Sequence, residues 1–184
     1  MTPTPDHALV LVDYQQGFDH PSWGRRNNPG AEQQAQRLLA HWRAHGAPVI
    51  IVRHDSTEEH STLRPDQPGN ALKPGFEPRA GELLCAKQVH SAFIGTPLQA
   101  WLDARGVKDI TISGISTDMC TSTTTRMGCD LGYRMHFVED ACVCFEQRDP
   151  HGEPIAPELL HRAHITTLGS DFARVVRTDQ VVVA

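Results

Sequence analysis

One cysteine stands where a thiol could act as a nucleophile. Residues 109–114 form an apolar, β-branched run ended by glycine, which predicts a buried strand. Helix-capping residue types at 116–118 follow, and residues 119–131 have the length and composition of a helix. Cys120 then lies in a first helical turn, where unpaired N–H groups favour a thiolate and could hold an oxyanion. The alternative is that Cys120 is a small buried residue, as free cysteines usually are.

Two other predicted strands end in residues that a cysteine nucleophile could use. The apolar run at 7–12 is followed by Asp13, and the short run at 82–87 ends in Lys87. Because the carboxyl ends of parallel strands share one edge of a sheet, we expect both side chains beside Cys120. Asp13 could then carry the thiol proton to a leaving group, and Lys87 could lower the thiol pKa. Taken alone, Asp13 is better explained as a solvated acid at a strand end.

A loop at residues 14–29 follows the first strand and is rich in Gly, Pro and Asn, which disfavours a helix. Its aromatic residues and arginines could give a substrate pocket an apolar wall and a cationic contact. Equally, the loop could be a surface excursion with solvated arginines. The predicted pocket consists of Phe18, Trp23, Arg25, Arg26, Phe93 and Thr117.

The rest of the chain alternates strands with helices, which indicates an α/β fold with a parallel sheet and right-handed crossovers. No internal repeat or linker composition interrupts this pattern, so we expect a single domain over residues 1–184. Residues 54–80 are predicted to be irregular. Helices are predicted at 29–45, 97–105 and 157–168, and further strands at 48–53, 133–138 and 173–177.

Composition excludes several classes of protein. The net charge is −5 and the pI is about 6.1, with no basic run, so nucleic-acid binding is not expected. No apolar segment approaches the length of a membrane span, and the N-terminus lacks the pattern of a signal peptide. Five cysteines, an odd number, then indicate reduced thiols in a cytoplasmic protein.

A metal site or a dinucleotide site is not expected from the spacing of residues. His54 and Asp55 are adjacent, so along a strand end they point in opposite directions, and His60 adds no chelating pair. Cys142 and Cys144 are weakly reminiscent of metal binding, but no second pair accompanies them. No Gly-x-Gly-x-x-Gly motif follows a predicted strand, which disfavours a dinucleotide-binding protein. We therefore predict no metal and no cofactor.

In combination these motifs resemble the isochorismatase-like cysteine hydrolases. The likeness covers nearly the whole chain and rests on the order of strand–Asp, strand–Lys and the turn that carries the cysteine. The matching motifs are LVDYQQGF at residues 11–18, Lys87 with Ser-Ala-Phe at 91–93, GISTDMC at 114–120 and Glu-Asp-Ala at 139–141.

The resemblance implies a three-layer α/β sandwich, in which a Rossmann-like, six-stranded parallel sheet has helices on both faces. It implies a catalytic triad of Asp13, Lys87 and Cys120. It further implies a cis peptide between Ile115 and Ser116, with an oxyanion hole formed by the N–H groups of Ser116 and Cys120. Family members are usually dimers or tetramers, so a homo-oligomer is expected.

The resemblance leaves the substrate open. The metal-binding Asp-x-His of the related nicotinamidases has no counterpart at His54, and members that cleave the vinyl ether of isochorismate can lack the cysteine. Cys120 therefore favours hydrolysis of an amide, ureido or related acyl C–N bond in a small molecule. Two alternatives stay open: a true isochorismatase, with Arg25 and Arg26 binding the substrate carboxylates, and a catalytically idle protein that binds small molecules.

Overall fold

A six-stranded parallel sheet forms the centre of the computed structural model, which describes residues 1–182. A separate pair of two-residue strands forms an antiparallel hairpin. The strands are β1 (His7–Val12), β2 (Val49–His54), β3 (Leu83–Lys87), β4 (Asp109–Gly114), β5 (Arg134–Val138), β6 (Gln147–Arg148), β7 (Pro154–Ile155) and β8 (Arg174–Val176). The order in the main sheet is β3-β2-β1-β4-β5-β8.

Helices and short helical turns fill the connections. The turns at Thr117–Thr121 and Leu168–Phe172 are wide, with the hydrogen-bond spacing of a π-helix, and each adjoins an α-helix. No helix within residues 1–182 combines the length and apolar character needed to cross a membrane. The helices are α1 (Ala31–Ala44), α2 (Leu98–Asp103), α3 (Ser122–Asp130), α4 (Pro157–Thr167) and α5 (Thr178–Val181).

The sheet is covered on both faces, which explains the continuous apolar runs in its central strands. In β1, Leu9 and Leu11 face a core that contains the apolar side of α1, including Leu38 and Trp42. The alternate residues of β1 face a second core, to which α2 contributes Leu98. The predicted fold class, a three-layer α/β sandwich around a six-stranded parallel sheet, is therefore confirmed.

The strand register brings the predicted site residues to one edge of the sheet. Val12 at the end of β1 is level with Gly114 at the end of β4, and on its other side with Val52. His54, the last residue of β2, is level with Lys87, the last residue of β3. The residues that follow β1 and β4 therefore emerge beside the ends of β2 and β3.

Most predicted elements differ from the structure only at their ends. The helix predicted at 119–131 is the exception, because it begins as the wide turn Thr117–Thr121 and becomes α3 only at Ser122. Ser116 precedes this turn, but its side chain makes no capping hydrogen bond. The hairpin of β6 and β7 and the four-residue α5 were not predicted.

Candidate active site

The ends of three strands bring Asp13, Lys87 and Cys120 into contact. Lys87 Nζ donates hydrogen bonds to Asp13 Oδ2 at 2.6 Å and to Cys120 Sγ at 3.2 Å. The side chains of Asp13 and Lys87 are completely buried, so their charges face each other without solvent between them. The lysine thus links the carboxylate to the sulfur.

Local backbone geometry helps to place two of these side chains. Asp13 has φ of 58°, in the left-handed region that aspartate tolerates better than most residues, and its N–H donates to Val52 O at 2.9 Å. Gly114 lies where β4 passes close to β1, because a Cβ there would clash with the carbonyl oxygen of Val12 and lie 2.9 Å from Thr121 Oγ1. Glycine therefore lets the turn that carries Cys120 approach β1.

His54, which the sequence disfavours as a metal ligand, is a fourth member of this cluster. Its Nδ1 lies 3.0 Å from Lys87 Nζ. Burial, and next the charge of Lys87, lower the pKa of His54 to about 4, so the imidazole is neutral at neutral pH. The signal that could have identified it is its position at the end of β2, the same rule that identified Asp13 and Lys87.

Burial also sets the protonation of the nucleophile candidate. Desolvation, and next the negative charge of Asp13, raise the pKa of the Cys120 thiol to about 12, although the charge of Lys87 acts in the opposite direction. Burial therefore opposes the acidification that is expected of a thiol in a first helical turn. Desolvation also raises the pKa of Asp13 despite its pairing with Lys87. A carboxylate with a raised pKa is a better proton acceptor for the thiol.

One acceptor atom is left over in the cluster. Among the described residues, Asp13 Oδ1 has no hydrogen-bond partner, although it is buried. Asp13, His54 and Cys120 also form a set of possible metal ligands, with donor atoms within 4.8 Å of one another. Lys87 Nζ, however, lies within hydrogen-bond distance of all three residues. The set therefore already surrounds a cation of the chain itself, and a metal ion does not fit beside it.

A cavity of about 190 Å³ opens onto the sulfur. Phe18 and Trp23 form part of its wall, with ring centroids 4.7 Å apart, and Phe145 packs behind both rings. The lining residues are Asp13, Phe18, Trp23, His54, Ser56, Glu58, Ser61, Leu63, His90, Ile115, Ser116, Met119 and Cys120.

Comparison with known proteins decides the family. The sequence profile of the isochorismatase domain matches residues 7–180, which is nearly the whole chain. The chain belongs to the isochorismatase family.

Isochorismatase-family proteins resemble the chain in sequence and in structure. This chain is 37% identical to the isochorismatase family protein YrdC of Bacillus subtilis, over 95% of this chain and 94% of that protein. Maleamate amidohydrolase of Pseudomonas putida is 30% identical over 78% of this chain and 75% of that enzyme. A crystal structure of an isochorismatase-family protein from Chromobacterium violaceum superposes with a TM-score of 0.91 at 43% identity, covering 97% of this chain and 92% of that one.

The turn after β4 has the backbone form that the isochorismatase resemblance implies. The peptide between Ile115 and Ser116 is cis. Ser116 and Cys120 both line the cavity, and within residues 1–182 the backbone N–H of Ser116, which precedes the turn, donates no hydrogen bond to another residue. At least one free backbone donor therefore lies in the wall of the cavity that the sulfur also lines.

The predicted substrate pocket needs correction at four positions. Of the residues proposed for it, Phe18 and Trp23 line the cavity, and the others do not. Arg25 is exposed and pairs with Glu158 at 2.6 Å, while Arg26 pairs with Glu32. The backbone of Arg26 forms an antiparallel bridge with Phe145, and both arginine side chains pair with carboxylates outside the cavity lining.

Phe93 and Thr117 also lie outside the cavity. Phe93 stacks on Tyr133 at a centroid distance of 5.8 Å in the core beneath α3. Thr117 is completely buried, and its Oγ1 lies 2.9 Å from His161 Nδ1 on α4. Both side chains therefore hold elements together around the site.

Proposed function

We propose that this protein is a cysteine hydrolase that cleaves an amide, ureido or related acyl C–N bond of a small molecule through a thioester. The observation that carries the proposal is the contact of Lys87 Nζ with both Asp13 Oδ2 and Cys120 Sγ. An acid–base group, a cation and a nucleophile are thereby held at the floor of one cavity. The name of maleamate amidohydrolase, a relative, also supports C–N hydrolysis.

The proposed reaction begins with transfer of the thiol proton of Cys120 to Asp13, whose Oδ1 has no other partner. Because the thiol pKa is about 12, this transfer accompanies the attack of sulfur on the substrate carbonyl carbon. The carbonyl oxygen, now negative, accepts hydrogen bonds from the N–H groups of Ser116 and Cys120. Lys87 remains protonated and balances the charge that develops on sulfur.

Collapse of the tetrahedral intermediate breaks the C–N bond, and Asp13 gives its proton to the leaving nitrogen. Water then attacks the thioester, with Asp13 accepting a proton from the water. The second tetrahedral intermediate expels sulfur, which recovers its proton from Asp13. The products are a carboxylic acid and an amine or ammonia, and the triad returns to its starting state.

The alternative of a true isochorismatase is less well supported. Its substrate carboxylates would need cations, for which the sequence offers Arg25 and Arg26, and both arginines are paired with glutamates elsewhere. Among the described residues no arginine lines the cavity, and Lys87 is already paired with Asp13. The alternative of an idle binding protein does not explain why a nucleophile, a base and a free acceptor oxygen meet at the cavity.

The proposal includes the other expectations from the sequence: catalysis without a metal or cofactor, a homo-oligomeric dimer or tetramer, and a cytoplasmic location. Activity that survives prolonged dialysis against a chelator would support catalysis without a metal. Light scattering tests the oligomeric state. All five cysteines are unpaired, which supports a reducing compartment.

The decisive experiment is a screen for ammonia release from a panel of small amides and ureido acids. The wild-type protein is compared with Cys120→Ala and with Cys129→Ala, which removes a half-exposed thiol on α3. We expect turnover by wild type and by Cys129→Ala, and none by Cys120→Ala. Equal turnover by Cys120→Ala would refute the thioester mechanism.

A further inference from the structure

The ammonium group of Lys87 has one acceptor for each of its hydrogens. A lysine ammonium carries three N–H donors. Lys87 Nζ lies 2.6 Å from Asp13 Oδ2, 3.0 Å from His54 Nδ1 and 3.2 Å from Cys120 Sγ. Because the lysine side chain is completely buried, solvent does not supply another partner. The direction of each N–H bond is therefore set by these acceptors together.

His54 is fixed by more than its contact with the lysine. Its N–H donates to Gln15 Oε1 at 2.8 Å, and its carbonyl oxygen accepts from Gln15 Nε2 at 3.0 Å and from Asn70 Nδ2 at 3.2 Å. Gln15 is completely buried, and it follows β1 directly after Asp13 and Tyr14. Side chains from two loops thus hold the end of β2 at the height of Lys87.

The state of the imidazole follows from its neighbours. Since Lys87 donates to Nδ1, the ring hydrogen of neutral His54 lies on Nε2. The charged or titratable groups around the ring are Lys87, His90, Asp55, Asp13 and Cys120. The backbone of His54 is held by two hydrogen bonds with Gln15, and its ring is held in one tautomer by Lys87. Both features keep Nδ1 directed at the ammonium group.

We propose that His54 is a positioning residue: its Nδ1 accepts one N–H of the Lys87 ammonium and so directs the other two to Asp13 and Cys120. This inference rests on the proposed function, because it concerns the reactivity of Cys120. Without the acceptor, one donor of a buried cation has no partner, and the ammonium turns away from the sulfur. The thiolate then loses part of its stabilisation.

The experiment compares two substitutions of nearly equal shape. His54→Asn keeps an acceptor on the γ-branch where Nδ1 stands, and His54→Leu removes it. His54→Gln places its amide near Nε2 instead, and His60→Leu is the control in the exposed loop. The rate of iodoacetamide labelling of Cys120 is followed by mass spectrometry across neutral and alkaline pH. A Cys129→Ser background removes the competing half-exposed thiol.

We expect His54→Leu to slow Cys120 labelling about tenfold at any pH below the midpoint, which equals an upward shift of about one pH unit. His54→Asn should restore most of the rate, and His54→Gln should not. His60→Leu should match wild type. A rate for His54→Leu equal to wild type, or equal losses for Asn and Leu, would overturn the inference. If His54→Leu does not fold, equal labelling rates for His54→Asn and His54→Gln would overturn the inference.

Two further outcomes keep the alternatives apart. If Cys120 is not labelled in any variant, the inference fails, whereas the proposed function is decided separately by ammonia release in the Cys120→Ala comparison. If Zn²⁺ at low concentration protects Cys120 in wild type but not in His54→Leu, the three donors serve a metal ion and not the ammonium. We expect no such protection, because Lys87 Nζ lies among the donors.

Discussion

Two charges at the centre of the site never face water, and this determines how each residue responds to substitution. Asp13 and Lys87 are completely buried and 2.6 Å apart. Removing one partner of such a pair leaves the other charge buried and uncompensated, at a cost of about 3–5 kcal/mol. Substitutions at either residue therefore need stability measurements beside activity measurements.

The first prediction concerns Lys87→Met, which keeps the length of the side chain and removes its charge. Because the Lys87 charge lowers the pKa of the Cys120 thiol, its removal should raise that pKa further. Cys120 alkylation should then be slower than in wild type at neutral pH, with its profile displaced to higher pH. Lys108→Met, an exposed lysine, is the matched control. An unchanged profile would mean that Lys87 does not act on the sulfur.

The second prediction concerns Asp13→Asn, which keeps the size of the side chain and removes the proton acceptor. Turnover should fall about 10²- to 10⁴-fold, the usual contribution of a positioned acid–base group. Urea denaturation should show a loss of stability, because Lys87 keeps its charge without a counter-ion. Asp103→Asn, at the end of α2, tests whether any loss of charge has this effect. Turnover within twofold of wild type, roughly 0.4 kcal/mol, would exclude Asp13 as the base.

At the scale of elements, the site depends on how closely the turn after β4 approaches β1. The sequence indicated Gly114 as the end of a strand, but the reason for glycine is visible only in the packing. Its Cα faces the Val12 carbonyl and the Thr121 hydroxyl, with no space for a methyl group. The turn that carries Cys120 is thereby tied to the strand that carries Asp13.

The third prediction follows from that contact. Gly114→Ala should lower the free energy of unfolding by about 1–3 kcal/mol, because the added Cβ overfills a closely packed region. It should also slow Cys120 labelling by displacing the turn. Gly30→Ala is the control, since a Cβ at that position meets nothing within 4 Å. Equal unfolding free energies for the two variants in urea would contradict this account of Gly114.

The fourth prediction concerns the ion cluster that joins the loop after β1 to α1. Glu32 is partly desolvated, but hydrogen bonds from Arg26 and Lys73 outweigh this and lower its pKa to about 2. A depressed folded pKa means that the stabilisation is present above the unfolded value of about 4.5 and is lost as the pH falls towards 2. Glu32→Gln should be less stable than wild type near neutral pH and should show a flatter acid limb.

Urea denaturation as a function of pH checks this, with the exposed Glu59→Gln as control. We expect the gap between wild type and Glu32→Gln, about 1–3 kcal/mol near neutrality, to close in acid. A gap that does not change with pH would show that Glu32 acts by packing and not by charge.

The sequence predicts the fold and the convergence of Asp13, Lys87 and Cys120 better than it predicts the pocket, for identifiable reasons. Buried strands such as β1 have apolar runs that end at polar residues, so the strand ends can be located within a residue or two. Arg25 and Arg26 depend on which carboxylates come near them, and those belong to α4 and α1. Such distant pairings leave no local pattern.

His54 was missed for a different reason. Its spacing from other possible ligands argues only about a metal site. The contact that His54 makes is with Lys87 on the neighbouring strand β3. The short hairpin of β6 and β7 escaped prediction because two-residue strands are too short to show a period of two.

At the scale of the whole molecule, the charges around the cavity favour some reagents over others. Glu58 lines the cavity and is exposed, and within residues 1–182 it makes no ion pair. Asp13 and Lys87 cancel each other, and His54 is neutral at neutral pH. A net charge of −5 for the chain adds to the same field. Neutral and cationic small molecules should therefore enter more readily than anions.

The fifth prediction tests this preference without a known substrate. Cys120 should react with neutral iodoacetamide faster than with anionic iodoacetate, beyond the intrinsic difference between the reagents. Glu58→Gln should raise the iodoacetate rate about fivefold at low salt and leave the iodoacetamide rate nearly unchanged. Glu59→Gln, exposed and outside the cavity lining, should change neither rate. A salt-independent ratio that is the same in all proteins would contradict the prediction.

The volume of the cavity limits the size of the molecules that can reach the Cys120 thiol. At about 190 Å³ it is smaller than pockets that hold drug-sized ligands, which start at about 300 Å³. It has room for about six molecules of liquid water. The amide bonds of a folded protein, each flanked by bulky chain on both sides, do not reach a sulfur at its floor. On the proposed function, the thiol could thus share a compartment with many proteins, its own chain included, and leave every one of them uncut.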